Sequence, residues 1–137
     1  MAESITNRGK FRLTQQHVTA IAWRATLVTG TQTGIHSLTL NTVADLDAVT
    51  SVNIHTERLT PASVTYTEDD GNGRVNIDCA NLTFAASAGV TAQALIFYDE
   101  GSGTDSTRDL ISVHSTGFPV PIDGGLVVTV TDFARLT

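Results

Sequence analysis

Cysteine is nearly missing from this sequence. Cys79 stands alone, so no intramolecular disulfide can brace the fold. Lysine is as scarce, with Lys10 the single example, and the formal net charge is −6. A chain so poor in clustered cations does not present a phosphate-binding surface, which excludes nucleic acid as the expected partner. Apolar runs extend only a few residues, well short of a membrane span, so no membrane association is expected. The opening Met-Ala-Glu-Ser-Ile-Thr-Asn-Arg lacks the apolar core of a secretory signal, and the mature chain is expected to begin at or near Met1. Aromatic residues make up only 6% of the chain, few for a surface that stacks sugars.

What remains is a chain with 41% hydrophobic and 16% charged residues over 137 positions, enough for one domain with a core of its own. Threonine and valine are abundant, and branching at Cβ suits a pleated sheet better than a helix. The stretch that organises the rest is 90–100, Val-Thr-Ala-Gln-Ala-Leu-Ile-Phe-Tyr-Asp-Glu. At period two, Ala92, Ala94, Ile96 and Tyr98 share one face, and Thr91, Gln93, Leu95 and Phe97 the other. Both faces end apolar, as in a central strand covered on both sides. Gly89 and Gly101 close the run, which argues against a helix.

Residues 1–13 carry no core pattern and form an amino-terminal arm, followed by one domain over 14–137. A short helix over 14–22, capped by Thr14, is one reading of the next stretch. Residues 23–28 form a strand, with Trp23 as a core anchor or, alternatively, as an exposed hot spot for a partner. Residues 36–40 are expected as a short strand, 41–47 as one helical turn or an irregular loop, and 49–55 as a strand with one polar face. Strict alternation in 63–67 and 74–79, around Asp-Gly and Asn-Gly steps, predicts a β-hairpin. Further strands follow at 82–84, 110–114 and 126–131, with 118–125 as a turn-forming linker stiffened by Pro119 and Pro121. The expected fold class is all-β, a single-domain antiparallel β-sandwich or Greek-key barrel with an N-terminal arm and room for one short helix.

The search for chemistry finds no catalytic residues, no metal site and no cofactor site. Glu68, Asp70, Asn72 and Gly73 match the first half of a calcium loop, but Cys79 stands where a bidentate glutamate should close it. His17, His36, His55 and His114 are scattered without zinc spacing. The acidic pairs Asp69-Asp70 and Asp99-Glu100 fall on predicted turns, where water keeps carboxylates from acid–base duty. Cys79, aligned with Val75 and Ile77, reads as a buried small apolar residue. Asn81-Leu82-Thr83 matches a glycosylation acceptor by composition alone and carries no weight without an export signal.

One family does emerge from the residues. The order Leu82-Thr83-Phe84-Ala85-Ala86, then 90–98 closing on Tyr98-Asp99, a Gly-Ser-Gly loop, Leu110-Ile111-Ser112, Pro119 or Pro121, Asp123-Gly124-Gly125 and a final Val-Val-Thr-Val resembles small virion structural proteins of tailed bacteriophages. The opening Ile5-Thr6-Asn7-Arg8-Gly9-Lys10 is similar as well, while 30–60 contribute nothing to the likeness. The resemblance implies a capsid decoration, or cement, protein rather than an enzyme. Such a protein sits on the virion surface between subunits of the major capsid protein, stabilises the capsid, and forms a homotrimer. Arg8, Lys10, Phe11 and Arg12 concentrate cations in the arm of an otherwise acidic chain, which makes them the expected capsid contact; a solvated terminus is the plain alternative. A tail or neck subunit is the nearest alternative function. A carbohydrate- or receptor-binding β module, stacking sugars on Trp23, Tyr66 and Tyr98, is the alternative from another class.

Overall fold

A computed structural model of the chain describes residues 20–130 and 133–136. Its centre is β6 (Thr91–Asp99), which pairs with the whole of β1 (Trp23–Thr29), antiparallel from Trp23 opposite Asp99 to Thr29 opposite Ala92. The other edge of β6 is shared. β7 (Leu110–His114) pairs with Leu95 to Tyr98, and β8 (Val120–Pro121) pairs with Thr91 and Ala92. The all-β antiparallel expectation therefore holds, with the predicted organising strand in the middle.

Both faces of β6 are buried, because its apolar residues alternate onto two cores. Leu95 and Phe97 join Trp23, Ala25 and Leu27 in one core, closed by Ile77, Cys79, Leu82, Phe84, Ile122 and Phe133. Ala94, Ile96 and Tyr98 join Val28 in the other, closed by Ile35, Val43, Leu46 and Val52. The expected faces need one correction. The register slips between Val28 and Thr29, so that Gln93 is an extra residue, and Ala92 joins the core of Leu95 and Phe97 instead of that of Ala94. The Gln93 carbonyl, left without a ladder partner, accepts a hydrogen bond from Gln32 Nε2 at 2.9 Å.

The first core is covered by two small sheets. One holds β3 (Thr65–Asp69), β4 (Arg74–Asp78) and β10 (Ala134–Leu136); the other holds β5 (Leu82–Phe84) and β9 (Leu126–Val128). The hairpin forms as expected, except that Glu68 and Asp69 extend β3 and leave a four-residue loop, where Gly73 takes φ +64°. Strand β10 was not foreseen, and β9 is shorter than the 126–131 expected of it. The proline segment also differs: Val120 and Pro121 form an edge strand, a place where proline's missing N–H costs nothing.

The second core is covered mainly by irregular chain. Residues 36–40 form turns instead of a strand, because Ser37 and Thr39 bond each other and the Leu40 N–H returns to the Ser37 carbonyl. Residues 43–47 settle as helix α1 (Val43–Asp47), with Val43 and Leu46 facing the core. Its start is a reciprocal cap: Thr42 Oγ1 accepts from the Asp45 N–H at 3.1 Å, and Asp45 Oδ2 accepts from the Thr42 and Asn41 N–H groups at 3.0 Å. Of the strand expected over 49–55, only β2 (Asn53–Ile54) forms. Ser51 adopts φ +67° and its carbonyl lies where a side chain on Gly30 would have to be, so only glycine fits there. The helix expected over 14–22 falls mostly outside the described residues, and Ile21 and Ala22 are not helical.

Beyond β2, residues 55–59 run irregularly along the outer edge of β1, touching it through paired bonds between Ala25 and Leu59. Thr26, the buried polar residue of the described chain, serves this interruption. Its hydroxyl lies 2.7 Å from the Glu57 carbonyl and 3.1 Å from that of His55. Replacing Thr26 with valine keeps the volume and removes the donor. A loss of about 1–2 kcal/mol is expected in urea unfolding, because the valine leaves the two carbonyls without that donor. Equal stability of the valine variant and the wild type would contradict the role.

Candidate functional site

The densest polar cluster lies at the carboxyl end of β6, where the strand runs into the loop 99–109. Glu100 accepts from Arg108 Nη2 at 2.7 Å and from Arg24 Nε at 3.2 Å. Asp105 accepts from Arg108 Nη1 at 2.7 Å and from Arg58 Nη1 at 3.5 Å. Arg24 also bonds the Thr60 hydroxyl. Tyr98, fully buried, sits in the middle: its hydroxyl accepts from Arg58 Nη1 at 3.2 Å, and the guanidinium carbons of Arg58 and Arg108 each lie 5.6 Å from its ring centre. Three cations thus enclose two carboxylates and one aromatic ring.

These charges are fixed ones. Arg108 and then the Arg24 cation hold the Glu100 carboxyl below its ordinary range. Burial alone would raise Asp105, but Arg108 and Arg58 outweigh it and hold it low as well. Arg108 is pushed up by the same two carboxylates. Neither carboxylate is placed to trade protons near neutral pH, so the cluster fastens chain instead. The Val43 N–H donates to the Arg108 carbonyl at 2.9 Å and the Ala44 N–H to that of Asp105 at 3.0 Å, which docks the start of α1 on the same loop.

Asp99 and Glu100 are accordingly not a wet turn pair. Both are half-buried; Asp99 Oδ1 accepts from the Ala22 N–H at 3.1 Å, and Glu100 lies inside the cluster. Arg24, Arg58, Arg108 and Asp105 were not singled out from the sequence. Their signal was scarcity: in a chain with 8 cationic residues, arginines sited beside strands and acidic loops are expected to be committed to partners.

At the hairpin, the carboxylate that matters is Asp69, which the calcium-loop spacing skips. Asp69 Oδ2 accepts from Asn72 Nδ2 at 2.9 Å, Arg74 Nε at 3.0 Å and Asn76 Nδ2 at 3.4 Å, and Asn72 leads in holding its pKa down. These bonds tie the loop to its own strands. Among the described residues, no three side chains of His, Cys, Asp or Glu converge as metal ligands. Cys79 is buried, and desolvation, reinforced by Asp78, pushes its thiol up to about 11. His114 lies half-buried edge-on to Phe97, its pKa lowered chiefly by burial, and His36 Nε2 lies 2.8 Å from Ser115 Oγ.

Trp23 is a core residue. It meets Phe133 edge-to-face at 4.9 Å, and Phe133 stacks on Phe97 at 4.1 Å. With Trp23 and Tyr98 buried and Tyr66 half-buried against the same core as Trp23, the three aromatics form no exposed platform. Arg8, Lys10, Phe11 and Arg12 lie outside the described residues, as does His17. No protein-family model, curated protein or solved structure matches the chain.

The cluster at β6 predicts an acid response. Glu100 and Asp105 have folded-state pKa values below their unfolded ones, so their stabilisation is complete above about pH 5 and is lost as pH falls through the folded values. Arg108→Met leaves two half-buried carboxylates with weaker partners, at an expected cost of about 2 kcal/mol near pH 7. The gap between variant and wild type in urea midpoint should narrow as acid protonates the two carboxylates. A gap that stays constant from neutral to acid pH would mean that lost packing, not charge, explains the cost.

Proposed function

We propose that this chain is a bacteriophage capsid decoration protein, binding between major capsid subunits and stabilising the head. The support comes from its likeness in residue order to small phage virion proteins, read together with the distribution of its cations. Arg24, Arg58, Arg74 and Arg108 are all spent on ion pairs within the fold. Three of the remaining four cationic residues are Arg8, Lys10 and Arg12, so the arm is where this acidic chain has positive charge to offer a partner. A domain whose strongest polar cluster fastens its own loops suits a protein whose work is to persist and to hold neighbours.

In this reading Arg8, Lys10, Phe11 and Arg12 contact the capsid, and the body copies assemble as a homo-oligomer on the virion surface. Quantitative mass spectrometry of separated heads and tails should find the chain in heads, at a copy number comparable to the major capsid protein. Occurrence in tails alone would replace the proposal with a tail or neck subunit. Removing residues 2–10 should weaken binding to undecorated heads by at least roughly tenfold, and raised salt should weaken the intact protein's binding. Unchanged binding after the deletion would take the arm out of the contact.

A further inference from the structure

The tip of the β3–β4 hairpin carries a chemical feature that occurs once in this chain. Of the six asparagines, Asn72 alone is followed by glycine; the others precede Arg8, Thr42, Ile54, Ile77 and Leu82. An asparagine carboxamide is open to attack by the backbone nitrogen of the next residue, which makes it one of the thermally labile side chains. Bulk at that residue's Cβ stands in the way, most of all when the Cβ is branched. Gly73 has no Cβ and gives no such shield.

The fold leaves this step reachable. Asp70, Gly71 and Asn72 are exposed at the turn, so water meets the carboxamide. The Gly73 N–H donates to the Asp70 carbonyl at 3.4 Å, a long bond, and Asn72 Nδ2 donates to Asp69 Oδ2 at 2.9 Å. Both reacting nitrogens are therefore tied within one surface loop, and a local opening of the tip releases them together without disturbing either core.

We propose that Asn72 is a site of spontaneous deamidation, and that its products unfasten the tip of the hairpin. The Gly73 nitrogen gives its proton to water or hydroxide and bonds to Asn72 Cγ. The Cγ–Nδ2 bond breaks, and Nδ2 takes up a proton and leaves as ammonia. The five-membered succinimide that remains then adds one water. Cleavage between the ring nitrogen and Cγ gives aspartate; cleavage between the ring nitrogen and the backbone carbonyl carbon gives isoaspartate, whose main chain runs through the side-chain carbons. Water is the sole co-reactant, and no electrons change hands.

What the reaction removes is particular to this loop. Asn72 is the leading cause that holds the Asp69 carboxyl below its ordinary range, ahead of Asn76 and Arg74. Either product puts a carboxylate where that donor stood, beside Asp69 and in a chain already at −6. Arg74 Nε at 3.0 Å and Asn76 Nδ2 at 3.4 Å are left to hold Asp69. Isoaspartate also lengthens the backbone just ahead of Gly73, whose φ of +64° closes the turn. The pair of Asp69 with Arg74 loosens first, while Val75 and Ile77, buried deeper along β4, keep the strands in place. The inference rests on the hairpin alone and is independent of the virion proposal.

Peptide-mapping mass spectrometry of the whole folded chain, sampled over weeks in mildly alkaline buffer, tests it. The peptide carrying Asn72 should gain about one mass unit and split into two products of equal mass, at least roughly tenfold faster than any peptide carrying another asparagine. Asn72→Ser, which has no carboxamide, should show no such gain. In the aged protein and in Asn72→Asp, amides of 69–74 should exchange roughly tenfold faster than in fresh wild type, with those of β6 from Ala94 to Tyr98 unchanged. An Asn72 peptide that stays unmodified, or that changes no faster than those of Asn41, Asn53, Asn76 and Asn81, overturns the site. Aged protein and Asn72→Asp whose hairpin tips exchange like fresh wild type overturn the consequence drawn for the fold.

Discussion

Burial of β6 on both faces is the constraint on which the rest depends. A strand covered on one side can be completed by a single layer; this one needs two, and the chain builds them by different means. Strands from β4 and β5 close one side, while α1 and the turns around Ile35 and Val52 close the other. Because every inward side chain of β6 is committed, a one-residue slip would move Ile96 and Phe97 to the wrong cores. The register is held at one end by the irregularity at Gln93, whose free carbonyl Gln32 satisfies, and at the other by the arginine cluster around Tyr98.

That cluster links packing to charge. Tyr98 is at once a residue of the second core and the surface on which Arg58 and Arg108 rest. Glu100 and Asp105 then orient those guanidiniums, and the loop that supplies Asp105 and Arg108 also supplies carbonyls to the first turn of α1. Side chains arranged in this way transmit order from strand to loop to helix. The same arrangement commits these body arginines to partners within the fold, so the uncommitted cations of this acidic chain concentrate in the sequence at Arg8, Lys10 and Arg12.

Local patterns were legible in the sequence; long-range ones were not. The alternation of 90–100 and the Gly-rich reversal after Asp69 are written in neighbouring residues, and β6 and the β3–β4 hairpin followed from them. The failures share a cause. Residues 36–40 alternate like a strand but pair with none, and short-range hydroxyl bonds hold them as turns instead. Residues 49–55 lose their pattern to Ser51, whose conformation is set by the approach of Gly30. β10 exists because β4 has a free edge, a fact no window of sequence around Ala134 contains. The arginine cluster is the extreme case, since its members are separated by up to 84 positions between Arg24 and Arg108 and meet only once β1 and β6 are paired.

A molecule organised in this way should open from its small sheets and turns inward, with β6 and its attached loop last. Native-state hydrogen exchange measured amide by amide tests that claim most directly. The account predicts that the amides of β6 from Ala94 to Tyr98 exchange only through global unfolding, while those at the tip of the β3–β4 hairpin exchange through smaller openings. Exchange of the β6 amides ahead of the hairpin would contradict it, and would place the stable unit of the fold in the small sheets instead.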